Sequence, residues 1–219
     1  MDKILKILSK YSHVFIDGLG GTLWLAAITV VCGTILGILV ALMRMSKLKP
    51  VNIVADAYIE VLRGTPILLQ LYFFWIGIPK ILPFAISDTA CIIIALIVNS
   101  SAYISEIIRA GIDAVDKGQS EAARSIGLSE FNVMTRIILP QAIKNILPAL
   151  ANQFIAMVKE TSLASVFFVG ELMTSYRIVS STTYLPLPAL TIAGVIYFVL
   201  NFVLSKLVRL MERRLKVSD

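Results

Sequence analysis

In a chain this apolar, any chemistry falls to the few polar side chains kept inside its apolar stretches. Three groups of them stand out: Thr65 and Gln70; Asn99, Ser100, Ser101, Tyr103 and Glu106; and Lys159, Glu160, Thr161 and Ser162. Asn99, Tyr103 and Glu106 are spaced four and then three residues apart, which puts them on one helical face. A charge at mid-bilayer costs about 2.5–3.5 kcal/mol on insertion scales, so such residues face a cavity or a partner. Hydroxyls and an amide can bind either end of a zwitterion, and a carboxylate such as Glu106 can receive an ammonium. The alternative is that the groups serve one another as interhelical hydrogen bonds and ion pairs, for example Lys159 with Glu106 or Glu160. Residue by residue both readings stand open; the set together reads as a polar route. Glu60, Arg63 and Arg109 fit better at the cytoplasmic interface, in packing or gating.

Other chemistries lack their residues. The one glycine cluster, Gly18, Gly20 and Gly21, has no phosphate-loop lysine, so hydrolysis of ATP by this chain is not expected. His13 stands alone, and Cys32 and Cys91 lie in apolar runs where they read as packing residues, not as a disulfide or metal pair. No catalytic residue and no metal site is expected.

The elements that carry these groups follow from the apolar pattern. The 219 residues are 58% hydrophobic and 16% charged. Their mean hydropathy of +0.85 fits a bilayer, not a soluble core. Residues 22–43 form an uncharged first span, in which Gly33 and Gly37 are either spaced to let another helix approach or simply tolerated as membrane glycines. A second segment starts near Ala55 and is interrupted at Gly64-Thr65-Pro66, where proline removes a donor and disfavours helix before it. A third span covers about 88–110, a fourth about 146–170 and a fifth about 187–207, the last two joined by a loop with Pro186 and Pro188. The first 17 residues set Ile4, Leu5, Ile7 and Leu8 against Lys3, Lys6 and Lys10, the pattern of a short helix lying on a membrane face. Arg44, Lys47 and Lys49 after the first span, the basic loop after the third and the basic tail put those sides in the cytosol. The amino terminus is then outside and the carboxyl terminus inside.

Between spans three and four lies a charged stretch expected outside the membrane. Asp116 can cap a helix there, with Gln119 at the reciprocal position and Glu121 in the first turn. Gly127 permits a turn that other residues make only with strain. A second amphipathic stretch follows, with Phe131, Met134, Ile137 and Ile138 at helical spacing, and Pro140 ends it. DNA-reading helix pairs share this outline, but Glu121 and Glu130 oppose phosphate and no base-reading cluster is present. No nucleic-acid partner is expected.

The sequence Glu121-Ala122-Ala123, then Gly127, then Ile137-x-Leu139-Pro140 resembles the EAA loop of importer-type ABC transporter permeases. The stretches YIEVLRGTPILLQL, NSSAYISEIIRAGIDAVDKGQSEAARSIG and PALANQFIAMVKETSLAS resemble the polar amino-acid uptake branch, the histidine/glutamine/arginine/cystine-type group, over residues 18–212. The resemblance implies an all-α membrane protein of the type I importer fold with about five spans. Residues 1–17 would be an interfacial segment, 18–212 the transmembrane domain and 213–219 a basic tail. It also implies that the loop over 116–142 couples to a separate ATPase through Glu121, Ala122, Ala123, Gly127, Leu128, Ile137, Leu139 and Pro140. The implied partners are two copies of that ATP-binding subunit, which hold the ATP and magnesium, and a second permease, identical or homologous. An extracellular amino-acid-binding protein would deliver substrate, all at a bacterial cytoplasmic membrane. The competing function is a partner-independent carrier or channel; such carriers often show inverted repeats, and none is evident here.

Overall fold

The structure, a computed structural model, describes residues 2–216. It is all-helical: α1 Asp2–Arg44, α2 Lys49–Gly64, α3 Ile67–Ile81, α4 Asp88–Asp113, α5 Lys117–Ser125, the single turn α6 Glu130–Asn132, α7 Leu139–Glu160, α8 Leu172–Thr183 and α9 Pro186–Lys216. A π-helical turn, Val133–Ile138, joins α6 to α7, and a 3-10 turn, Thr161–Phe167, follows α7. Among the described residues α1, α4 and α9 are each long and apolar enough to cross a membrane, and α2 and α3 meet the test as one pair bent by 110°.

Helix α1 has 43 residues. At 1.5 Å per residue that is about 65 Å, twice what the hydrocarbon requires. Residues 2–17 are therefore not the separate short helix that their charge pattern suggests. Ile7 and Phe15 are buried and pack with Leu172, Val179, Ala189, Ile192 and Ala193 of α8 and α9. Amphipathic spacing fixes which side of a helix wants cover, but not whether lipid or another helix supplies it.

The main crossing is α1 on α4. A β-carbon on Gly33 would sit 3.2 Å from Ser100, and one on Gly37 would sit 2.9 Å from Ile104 Cγ2 and 3.0 Å from the Ser101 carbonyl. The expected close approach at Gly33 and Gly37 is thus met by α4. Gly18 and Gly21 serve α8 in the same way. Added β-carbons would overlap Ser175 and the Gly170 carbonyl, and Ser175 Oγ donates to the Val14 carbonyl at 2.8 Å.

A buried cluster of Leu25, Ala26, Leu71, Ile92, Ala95, Leu96, Met157 and Val158 ties α1, α3, α4 and α7 together. Cys91 is buried and Cys32 half-buried, both as free thiols.

Two boundaries differ from expectation. The linker between the fourth and fifth spans contains a helix, α8, capped by Glu171 and packed on α1. Pro140 does not end a helix either; it opens α7 directly after the π-helical turn. The wider turn explains this, because Leu139 bonds the Met134 carbonyl five residues back instead of four. Proline at the first or second position of the next helix then gives up no required donor.

Candidate functional site

The break between α2 and α3 is built by Pro66. Without an N–H, Pro66 leaves the Leu62 carbonyl, four residues earlier, with no helical donor. Gln70 Nε2 supplies one at 2.8 Å and also donates to Thr65 Oγ1 at 2.7 Å. Thr65 Oγ1 in turn donates to the Val61 carbonyl at 2.8 Å. From α4, Asn99 Nδ2 donates to Gln70 Oε1 at 2.9 Å and lies 3.5 Å from the Leu62 carbonyl. Gln70 is 6% exposed and Asn99 2%. Three pathway candidates therefore converge, and they close the carboxyl end of α2 with one another.

The remaining α4 candidates continue along the same helix. Ser100 is buried against Gly33, and Ser101 Oγ lies 2.7 Å from the Tyr58 hydroxyl while bonding the Val98 carbonyl. The Arg63 guanidinium lies over the Tyr103 ring, 5.5 Å from its centre. Glu106 is ion-paired with Arg44, with Arg109 at 3.1 Å and with Arg63 at 3.6 Å. Arg44 also holds Asp56 at 2.7 Å, and Arg109 holds Asp113 at 2.7 Å. This network ties the end of α1 to α2 and α4. The possible Lys159–Glu106 pair does not form, because three arginines already occupy that carboxylate. Asn99, Tyr103 and Glu106 do share a face, and it is the face turned to α2.

The loop outside the bundle is a wedge of short helices. Asp116 caps α5, accepting from the Gly118 N–H at 2.6 Å, and the Gln119 N–H bonds the Asp116 carbonyl at 3.1 Å. Because α5 begins at Lys117, Glu121 sits in its second turn, beyond the first-turn position expected. Gly127 has φ +83°, with open space around its α-carbon, so backbone conformation and not crowding selects glycine there. Arg124 clamps the two arms with bonds of 2.6 and 3.1 Å to the Glu130 carboxylate. That bond, together with the Arg124 and Lys47 charges, holds the Glu130 carboxyl below its ordinary range.

The wedge has two sides. Ala123, Val133 and Ile138 are buried with Ala142 and Ile146 of α7, and Leu128 and Ile137 pack against them. Gly111 of α4 touches Ile146 closely, which joins this cluster to the bundle. On the other side Glu121, Ala122, Gly127 and Pro140 are exposed, together with Ile126 at 79% and Phe131 at 76%, while Leu139, also exposed, lines a groove against α1 and α4.

Lys159 and Ser162 border a groove of about 710 Å³ between the end of α7, α8 and α9. Arg177, Tyr197, Asn201 and Arg209 also line it, with Phe198 and Phe202 as its apolar wall. Glu160, beside Lys159, is half-buried, and its Oε2 accepts no hydrogen bond from a described residue.

Comparison with known proteins places this arrangement. The model of the binding-protein-dependent transport system inner membrane component matches residues 33–217. The chain belongs to that family. Among similar permeases, an arginine transport system permease of Bacillus subtilis (strain 168) is 42% identical over 204 residues, covering 93% of each chain. A putative glutamine transport system permease of Rickettsia bellii is 39% identical, covering 93% of each. A nopaline transport system permease of Agrobacterium fabrum is 39% identical over 87% of this chain and 83% of its own. A crystal structure of an amino acid ABC transporter with histidines aligns with a TM-score of 0.91 at 47% identity, covering 94% of this chain and 96% of the other. The inward-facing methionine transporter MetNI, at 17% identity and a TM-score of 0.69, shares the fold. The protein is thus a multi-pass permease component of the amino-acid ABC transporter family, with the type I importer fold.

Several residues of this permease carry roles that the sequence reading did not assign. Glu171 is fully buried and accepts from the N–H groups of Met173 and Thr174 at 2.8 and 2.6 Å, and from the Tyr197 hydroxyl at 3.0 Å. It caps α8 and fixes α9, and these bonds explain how its carboxyl group is tolerated there with no cation paired to it among the described residues. The local signal is weak, because a helix start is marked by Ser, Thr, Asp or Asn at the cap, and here glutamate holds that position. Nothing local marks Arg177 of α8 and Asn201 and Arg209 of α9 as sharing a groove with Lys159 of α7, because three helices bring them together.

Proposed function

We propose that this permease forms half of the membrane pathway of an ATP-driven importer, which carries a polar amino acid into the cytoplasm by alternating access. A separate ATPase docks on the wedge over 116–142. The observation that carries this is the wedge itself: a turn clamped by Arg124 and Glu130, exposed on one side through Ala122, Ile126 and Phe131 and packed on the other into α4 and α7. Force applied at the exposed side passes through packed side chains to both helices, which is what a rigid-body tilt requires. Two ATP-binding subunits would hold the ATP and magnesium, and a second permease, identical or homologous, would complete the pathway. An extracellular amino-acid-binding protein would supply the substrate. The chain would sit in the bacterial cytoplasmic membrane with its amino terminus outside. Relatives named for arginine, glutamine and nopaline transport support a polar amino acid as cargo.

Within the pathway, the groove beside Lys159, Glu160 and Ser162 is the candidate contact. Its cations suit a carboxylate, while Glu160, whose Oε2 is buried without a hydrogen-bond partner among the described residues, stands behind the lining and not in it. Thr65, Gln70 and Asn99 would hold the break, with Ser100, Ser101, Tyr103 and Glu106 setting how α4 sits against α1 and α2. Replacing Gly127 by glutamate tests the docking. The assembled complex should form a folded permease but lose substrate-stimulated ATPase; unchanged coupling would refute the assignment.

A further inference from the structure

A second groove lies at the end of the bundle that carries the 116–142 wedge. It runs between α1, α4 and α7, has a volume of about 610 Å³, and is lined by side chains such as Ile38, Leu42, Met45, Ile108, Ile143 and Leu147. That size falls within the range of small-ligand sites. Thr34 is its polar member, and its hydroxyl is spent on the Val30 carbonyl at 2.7 Å. The mouth is open: Leu42 is 61% exposed, and Met45 and Ile143 are also exposed.

At Met45 the character changes abruptly. The next residue, Ser46, begins a separate polar pocket of about 360 Å³ formed with Lys47, Lys49 and Asn52. Ser46 Oγ accepts from the Leu48 N–H at 3.2 Å, and Asn52 bonds the Arg44 carbonyl, so the turn is held in shape. Neither lysine makes an ion pair with a described residue. The acid that acts on Lys47 through space, Glu130, is already taken by Arg124. Consecutive α-carbons are 3.8 Å apart, so the dry groove and the cationic pocket adjoin.

We propose that this end of the bundle holds an anionic diacyl phospholipid, with one acyl chain in the α1/α4/α7 groove and its phosphate in the Ser46–Asn52 pocket. An apolar channel that meets paired lysines at the boundary of a spanning bundle has the two chemistries of such a lipid in the right order. A soluble anion would leave the groove unused, and a neutral lipid would leave the lysines without a counter-charge. Because Met134 and Leu139 line the same groove as Leu42 and Met45, the lipid touches both the wedge and the end of α1.

The test uses the full-length permease in nanodiscs of phosphatidylcholine with a quarter phosphatidylglycerol. Native mass spectrometry after detergent extraction should find one phosphatidylglycerol retained per permease. With Lys47→Gln and Lys49→Gln together the retained fraction should fall, by about fivefold per lysine. Lys3→Gln with Lys6→Gln, which removes equal charge elsewhere, should leave it unchanged. As a second readout, tryptophan in place of Met45 should be quenched by brominated phosphatidylglycerol more strongly than by brominated phosphatidylcholine. Equal retention or equal quenching of the two lipids would overturn the proposal in favour of ordinary annular lipid. Crosslinking of the Met45 position to a second permease would overturn it in favour of a subunit contact.

Discussion

Gln70 offers the sharpest test of what the intramembrane polar residues do. Gln70→Leu keeps nearly the same volume while removing both ends of the amide. Four groups then lose a partner, two of them in buried bonds: the Leu62 carbonyl, which Pro66 cannot serve, and Asn99 Nδ2, left with a 3.5 Å contact; the part-buried Thr65 carbonyl and hydroxyl are the others. Thr65 Oγ1 keeps its bond to the Val61 carbonyl and adds no cost. A buried orphaned group costs about 1–3 kcal/mol, and interhelical bonds in membranes run lower, about 0.6–1.7 kcal/mol. The expected loss is therefore about 2–4 kcal/mol. Asn99→Leu alone should cost less, because Gln70 Nε2 still serves Leu62. Combining the two should cost less than their sum, since the second change removes an already unpaired group. Unfolding of the detergent-solubilised permease in sodium dodecyl sulfate, followed by fluorescence, reads all three. Uptake by the assembled transporter should fall only in proportion to folded protein. Unchanged stability in Gln70→Leu would refute the capping role, and normal stability with abolished uptake would move Gln70 into the substrate path.

Other expectations follow from the same geometry. Gly37→Ala should lower the unfolding midpoint, by about 1–3 kcal/mol of overpacking against Ile104 and the Ser101 carbonyl. Gly20→Ala, with open space around it, should be neutral or mildly stabilising in the same assay. Glu106→Gln should cost about 2 kcal/mol of charge-assisted bonding, leaving Arg63 without a partner acid while Arg44 and Arg109 keep Asp56 and Asp113, and a compensating Arg63→Gln should recover part of it in thermal melts. The Glu130 carboxyl titrates lower in the folded wedge than in an unfolded chain. Its stabilising effect is therefore complete above the ordinary carboxylate range and is lost as pH falls through the depressed folded value. Amide exchange over 117–132, corrected for intrinsic rates, should lose protection on acidification, and Glu130→Gln should remove that pH dependence.

The sequence by itself determined whatever depends on near neighbours in the chain. Helical bonds close within four residues, so apolar length placed the cores of α1, α4 and α9, and Pro66 placed the break between α2 and α3. Asp116 and Gly127 announced the cap and the turn of the wedge through their own backbone chemistry. Even locally, one rule yielded to another: Pro140 reads as a stop, yet a π-helical turn lets it open α7. Tertiary structure decided which polar groups meet. Gln70 and Asn99 lie 29 residues apart in the chain and find each other only because α3 and α4 pack side by side. Glu106 presents the same carboxylate to an ammonium or to arginines, and only the tertiary structure brings Arg44 and Arg63 beside it. Helix α8 and its buried cap Glu171 depend on cover from α1 and α9, which no local pattern specifies. A polar residue in a membrane must find a partner; its own segment states that need, and the neighbouring helix determines what meets it.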